Sequence, residues 1–127
     1  MADLLVDTAI LVDLLRNYEP ALEWKLTRHG EIVGIVPYVF MEVMNGARDR
    51  RAQERALTFL HQFEMVYPIQ DDLEWAMTQH VAHHLKFGVG VIDCLIAAPA
   101  ARLGLPLYTH NLKHFTPLLG DLAQRPY

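Results

Sequence analysis

Short apolar runs rich in β-branched residues alternate with helical stretches along the whole chain, and this alternation restricts the fold more than any other feature. "DLLVD" (3–7), "IVGIV" (32–36), "MVYPI" (65–69) and "LPLYT" (105–109) read as four strands. A helix follows the first strand to about Asn17, and a second has Pro20 in its first turn and ends at Gly30. Pro37 opens a helix running to about Arg48. In "RDRRAQERALTFLHQF", Ala56, Leu57, Phe59, Leu60 and Phe63 recur at helical spacing. "DDLEWAMTQHVAHHLKFG" starts on acidic cap residues and stops at a glycine, and "DCLIAAPAARLG" is a further helix closed by Gly104. A turn-rich tail is expected after the fourth strand. Strands separated by helices lie parallel, with both faces of the sheet covered, so the expected class is α/β. Pro99 falls inside an expected helix, where it costs about 3 kcal/mol or kinks the axis. It marks either a break or a later helix start.

No linker, repeat or low-complexity segment divides the 127 residues, so one domain over 1–127 is expected. Hydrophobic residues make up 52%, enough for a core with apolar surface left for a partner. The net charge is −4, so nucleic-acid binding would need a local basic patch. Cys94 is the single cysteine, in an apolar run, and reads as a small buried hydrophobe in a reducing compartment. The N-terminus lacks a basic leader and no run is long enough to span a membrane, which predicts a cytoplasmic protein.

Against this frame, acidic residues fall at element junctions. Asp7 sits between the first strand and its helix. Glu42 lies on the helix after the second strand, sharing a face with Tyr38 and Asn45. Asp93 stands near the start of a late helix, and Asn111 just past the fourth strand. Each position has an ordinary structural explanation. Asp7 and Asp93 can cap helices, Glu42 can be a solvated residue, and Asn111 can be a turn residue. Yet the C-terminal ends of strands in a doubly wound sheet converge on one edge. Carboxylates gathered there repel one another and persist together if a cation lies between them. Oxygen ligands select a hard ion, Mg²⁺ or Mn²⁺.

"LLVDTAILVDLL", "YVFMEVMNGA", "VIDCLIAA" and "GLPLYTHNLKHF" resemble, in order and spacing, the four motifs of the PIN domain. The length and the "LPLYTHNLKHF" ending are similar to the VapC toxins of type II toxin–antitoxin pairs. The resemblance implies a compact three-layer α/β/α fold with a small parallel sheet. It implies a Mg²⁺- or Mn²⁺-dependent endoribonuclease cutting structured RNA of the tRNA or rRNA class, with a cognate antitoxin and a homodimeric state. Asp7, Glu42 and Asp93 match the acidic triad that holds metal. Asn111 matches a fourth catalytic position that is Asp in many relatives, so a second metal would be held less firmly. Thr8 and Thr109 match hydroxyls beside the site, and Pro99 stands where relatives often have Thr.

For substrate, Arg48, Arg51 and Arg55 have helical spacing and would form a phosphate-tracking face, with Lys113 and His114 as further candidates. The same arginines can instead pair with Asp49 and Glu54 on a solvated helix. His80 and His84 have the spacing of a zinc-binding pair, without a third ligand in sequence reach. Other readings are a PIN-like nuclease in RNA processing or decay, and a non-catalytic binding module of the same fold.

Overall fold

The computed structural model describes all 127 residues. In chain order it contains β1 (Leu4–Val6), α1 (Thr8–Leu15), α2 (Glu19–Thr27), β2 (Val33–Ile35), α3 (Pro37–Asn45) and α4 (Arg50–Leu60). Then follow β3 (Glu64–Met65), α5 (Gln70–Phe87), α6 (Val91–Leu103), β4 (Leu107–Tyr108), α7 (Leu112–Leu119) and β5 (Ala123–Gln124). The five strands form one sheet in the order β3-β2-β1-β4-β5, and every pairing is parallel.

This order follows from the connections. From β1 the chain steps through β2 to β3 in one direction, then returns to place β4 on the other side of β1. Parallel crossovers are right-handed, so reversing direction puts the later helices on the opposite face. The contacts agree: α1 touches α2 and α3, and α3 touches α4, while α5, α6 and α7 touch one another. The result is the α/β/α sandwich expected from the sequence. The reversal lies between β1 and β4, whose diverging connections leave a crevice at their C-terminal ends.

β1 is buried at all three positions, as a central parallel strand must be. It packs under β2 at Gly34, where a Cβ would stand 2.7 Å from the Ala2 Cβ and 2.9 Å from a Leu5 methyl. α5 and α6 end on Gly88 and Gly104, both with left-handed backbone (φ 70° and 65°). The core joins β1, β4 and the inner faces of the helices, with Cys94 buried as expected.

Three expectations need correction. α6 runs unbroken from Val91 to Leu103 through Pro99. Proline removes one N–H and forfeits one helical bond, but six residues of α6, Pro99 among them, are buried, and that packing carries the helix. The turn-rich tail is in fact α7 and β5. Phe115, Leu118 and Leu119 are the buried stripe of α7, punctuated by Pro117 and Gly120. β5 carries no apolar run and exists only by pairing with β4, Leu107 against Ala123 and Tyr108 against Gln124. Arg48 does not share a helix with Arg51 and Arg55, because Asp49 caps α4 through a 2.8 Å bond from the Ala52 N–H.

The tail is fastened to α1. The Tyr127 hydroxyl donates to Asp13 Oδ2 at 2.6 Å, and its ring lies against Tyr18, Trp24 and His110. Burial, then the Asp13 carboxylate, hold the phenol well above its usual pKa.

Candidate active site

Asp7 is the first residue after β1, and its helix-capping reading is met. It is the N-cap of α1, accepting the Thr8 N–H at Oδ1 (2.7 Å). Its other oxygen accepts the Thr109 hydroxyl at 2.8 Å. Thr109 follows β4, is fully buried, and in turn accepts the Asn111 N–H at 3.0 Å. The β1–β4 pairing therefore brings Asp7 and Asn111 to the same crevice.

Glu42 is exposed on α3, and its Oε1 accepts the Thr8 hydroxyl at 2.6 Å. Asp93 stands in the first turn of α6 rather than at its cap. Its Oδ2 accepts the Gly90 N–H and faces His114 Nδ1, both at 3.1 Å. α3 and α6 come from opposite faces of the sheet and touch across the crevice. Asp7, Thr8, Glu42, Asp93 and Asn111 thus line one open cleft of about 610 Å³, together with Val12, Asp13, Arg16 and Ile96.

The cleft is electrostatically loaded. Burial raises the Asp7 pKa, and the nearby charges of Asp93 and Glu42 raise it further, against the lowering effect of the Thr109 and Thr8 bonds. A divalent cation would relieve that repulsion. No three His, Cys, Asp or Glu side chains are closed into a ready cage. The donor chemistry nonetheless fits Mg²⁺ or Mn²⁺. The protein bonds take Oδ2 of Asp93 and Oε1 of Glu42 and leave the other oxygen of each without a protein partner. Such ions keep several waters and need only one or two carboxylates, which suits an open cleft better than a closed cage.

The sequence-predicted basic residues lie outside this cleft. Arg51 and Arg55 line a separate groove beside the end of α1, with Leu14, Asn17 and Thr58. Arg48 is exposed between α3 and α4, and Lys113 is exposed on the first turn of α7. The lysine or arginine that does line the cleft is Arg16, which sequence reasoning missed. Its signal was present, since Ala9, Val12, Asp13 and Arg16 lie at the spacings of one helix face. His80 and His84 stack with ring centroids 4.7 Å apart, and His84 Nδ1 meets the Val89 carbonyl at 3.0 Å. No third ligand joins them.

Among solved structures, the chain is similar to a toxin–antitoxin complex from Klebsiella pneumoniae at 29% identity, with 98% of each chain covered and a TM-score of 0.79. It is similar to the DNA-bound VapBC of Salmonella typhimurium at 25% identity, with 91% of each chain covered and a TM-score of 0.72. VapBC2 from Rickettsia felis, bound to a promoter DNA fragment, shares the fold at 21% identity, covering 88% of this chain and 90% of that one, with a TM-score of 0.74. Comparison with curated protein sequences finds no match. The model of the PIN domain matches residues 4–115. That span holds β1 through β4 and every residue lining the acidic cleft, and the chain belongs to the PIN domain family.

Proposed function

We propose that this protein is a Mg²⁺- or Mn²⁺-dependent endoribonuclease and the toxin of a toxin–antitoxin pair, acting in the cytoplasm on structured RNA of the tRNA or rRNA class. The observation that carries the nuclease reading is the convergence of Asp7, Glu42 and Asp93, from three separate elements, on one cleft beside Asn111. The toxin reading is supported by the similarity to toxin–antitoxin complexes. No helix is long and apolar enough to cross a membrane.

Asp7, Glu42 and Asp93 would hold the ion, which supplies Lewis-acid polarisation of a phosphoryl oxygen and an acidified water. The rest is the work of the chain. The Thr8 hydroxyl fixes Glu42 at Oε1, which leaves Oε2 as its one free oxygen, either to join the ion or, with the ion on Asp7 and Asp93, to take the proton of the attacking water. The Thr109 hydroxyl holds Asp7 from the other side. Asn111 donates its amide N–H to a phosphate oxygen or to water, and its neutrality favours a single ion. Arg16 meets phosphate within the cleft, and Arg51, Arg55, Arg48 and Lys113 track the backbone beyond it. Attack by water leaves the 2′-hydroxyl unused and gives 5′-phosphate and 3′-hydroxyl ends.

The antitoxin would inhibit by placing a basic side chain among the cleft carboxylates. The homodimer would form on the exposed face of α5, where Leu73, Met77, Val81 and Leu85 make one stripe at every fourth residue. Leu85 is 95% exposed and Val81 81% exposed, beside an apolar groove of about 430 Å³ between α5 and α6. Val81→Asp is expected to convert a dimer to a monomer in light scattering while the chain keeps its helical circular dichroism, with a melting temperature that no longer depends on protein concentration. An unchanged mass would place the dimer contact elsewhere.

The test of function is incubation of the purified chain with a mixed pool of structured RNAs. Cleavage with Mg²⁺ or Mn²⁺ that stops on adding EDTA and leaves 5′-phosphate ends is the expected result. Ends carrying a 2′,3′-cyclic phosphate, or cleavage indifferent to EDTA, would rule out this mechanism.

A further inference from the structure

One loop holds two of the cleft carboxylates at once. From Asp7 Oδ2 a bond runs to the Thr109 hydroxyl (2.8 Å), and from the Thr109 oxygen to the Asn111 N–H (3.0 Å). The Asn111 side-chain nitrogen Nδ2 lies 2.9 Å from His114 Nδ1, and the same ring nitrogen lies 3.1 Å from Asp93 Oδ2. Asp7 at the end of β1 and Asp93 on α6 are therefore tied to each other through the turn from β4 into α7.

His114 is the link between Asp93 and this turn. A carboxylate only accepts hydrogen bonds, so the nitrogen facing Asp93 must carry a proton. The Asn111 Nδ2 that stands 2.9 Å from this nitrogen cannot accept its proton, so a protonated Nδ1 requires the Asn111 amide to be turned over, with its oxygen towards the ring and its NH₂ away from it. The Gly90 N–H and the His114 N–H both fall on Oδ2 of Asp93, which fixes the carboxylate plane and leaves Oδ1 as its unengaged oxygen. The ring cannot easily swing away. The His114 backbone N–H is tied to the Asn111 carbonyl at 3.2 Å, and the next residue, Phe115, is fully buried. A Cβ at Gly88 would stand 3.8 Å from Nε2, so the ring also lies against the α5–α6 turn.

We infer that His114 is a positioning residue: through its Nδ1–H it orients Asp93 so that a single oxygen is presented for a divalent ion. This rests on the proposed metal-dependent reading of the cleft. It also changes the role of His114 from the phosphate contact expected at sequence level, since its Nδ1 points to a carboxylate. Partners that orient ligands in this way are worth roughly 10–100-fold in metal affinity.

The test is Mn²⁺ binding to the full chain, read by the loss of the free-ion signal in electron paramagnetic resonance. His114→Leu is expected to weaken Mn²⁺ binding about 10–100-fold. His114→Asn, whose amide N–H can stand in for Nδ1–H, is expected to recover most of the loss. Wild-type binding in His114→Leu overturns the inference while leaving the metal reading intact, and so does a raised KM for RNA with Mn²⁺ binding unchanged. A wild-type chain that binds no Mn²⁺ overturns the metal reading and this inference with it. Nitrogen-15 spectra of the metal-free wild type give a readout that no variant's folding can spoil. The neutral ring is expected as the Nδ1–H tautomer, and the Nε2–H tautomer would overturn the assignment.

Discussion

Asp7→Asn is expected to abolish RNA cleavage and, in the metal-free protein, to raise the melting temperature. The substitution removes a carboxylate among the proposed ligands and should cost about 10³-fold or more in kcat, or about 4 kcal/mol of transition-state stabilisation. The opposite effect on stability follows from the charge. Burial, aided by Asp93 and Glu42, raises the Asp7 pKa above its usual value. A carboxylate whose folded pKa is raised gives stability that is complete below its unfolded pKa and is lost as pH rises through the folded one. At neutral pH the ionised Asp7 therefore opposes folding, and asparagine relieves that cost. The gap between variant and wild type should close as the pH is lowered towards the ordinary aspartate value of 3.8 and below. Mn²⁺ should close it from the other side by stabilising only the wild type. Thermal melts across pH, with and without Mn²⁺, check all three statements. A variant less stable than wild type at neutral pH would mean that the Thr8 and Thr109 bonds outweigh the repulsion.

A comparably large effect on stability is expected away from the cleft, in Arg102→Met. Arg102 on α6 grips Asp72 on α5 with two bonds, Nε to Oδ1 at 2.8 Å and Nη2 to Oδ2 at 3.0 Å. Asp72 is 2% exposed and also accepts the Ile69 N–H at 2.9 Å, closing the first turn of α5. Removing the arginine leaves a buried carboxylate without a counter-charge, which costs about 3 kcal/mol. The arginine side chain is 30% exposed, so water partly screens the pair and keeps the figure at the low end of its range. The melting temperature should fall by roughly 10 °C. The double variant Asp72→Leu/Arg102→Met should recover much of the loss, because it leaves no charge behind. Cleavage below the melting range should be unchanged in both.

The sandwich was legible because each element carries its own pattern: β1 is apolar throughout, Asp7 sits at its end, and glycines close α5 and α6. What could not be read locally is what depends on distant partners. β5 has two residues and no apolar alternation, so nothing but the edge of β4 makes it a strand. The Thr109–Asp7 bond joins residues 102 positions apart, and only the resemblance to PIN motifs suggested the two belonged together. Arg48 misled because its spacing from Arg51 and Arg55 is helical, while the cap at Asp49 lies between them. Arg16 was overlooked for the opposite reason. Its helix was read for the apolar side, and the polar face that lines the cleft went unused.

The parallel pairing of β1 with β4, Leu5 against Leu107, has a consequence for timing during synthesis. A contact between the first and last parts of a chain is slow to form, since a long loop must close before the contact rewards it. On the ribosome the delay is absolute. A nascent chain ending before residue 105 already contains Asp7, Glu42 and Asp93, yet it lacks β4 and the loop that carries Thr109, Asn111 and His114. The cleft around those carboxylates is therefore incomplete until the chain has been made through β4 and the loop that follows it.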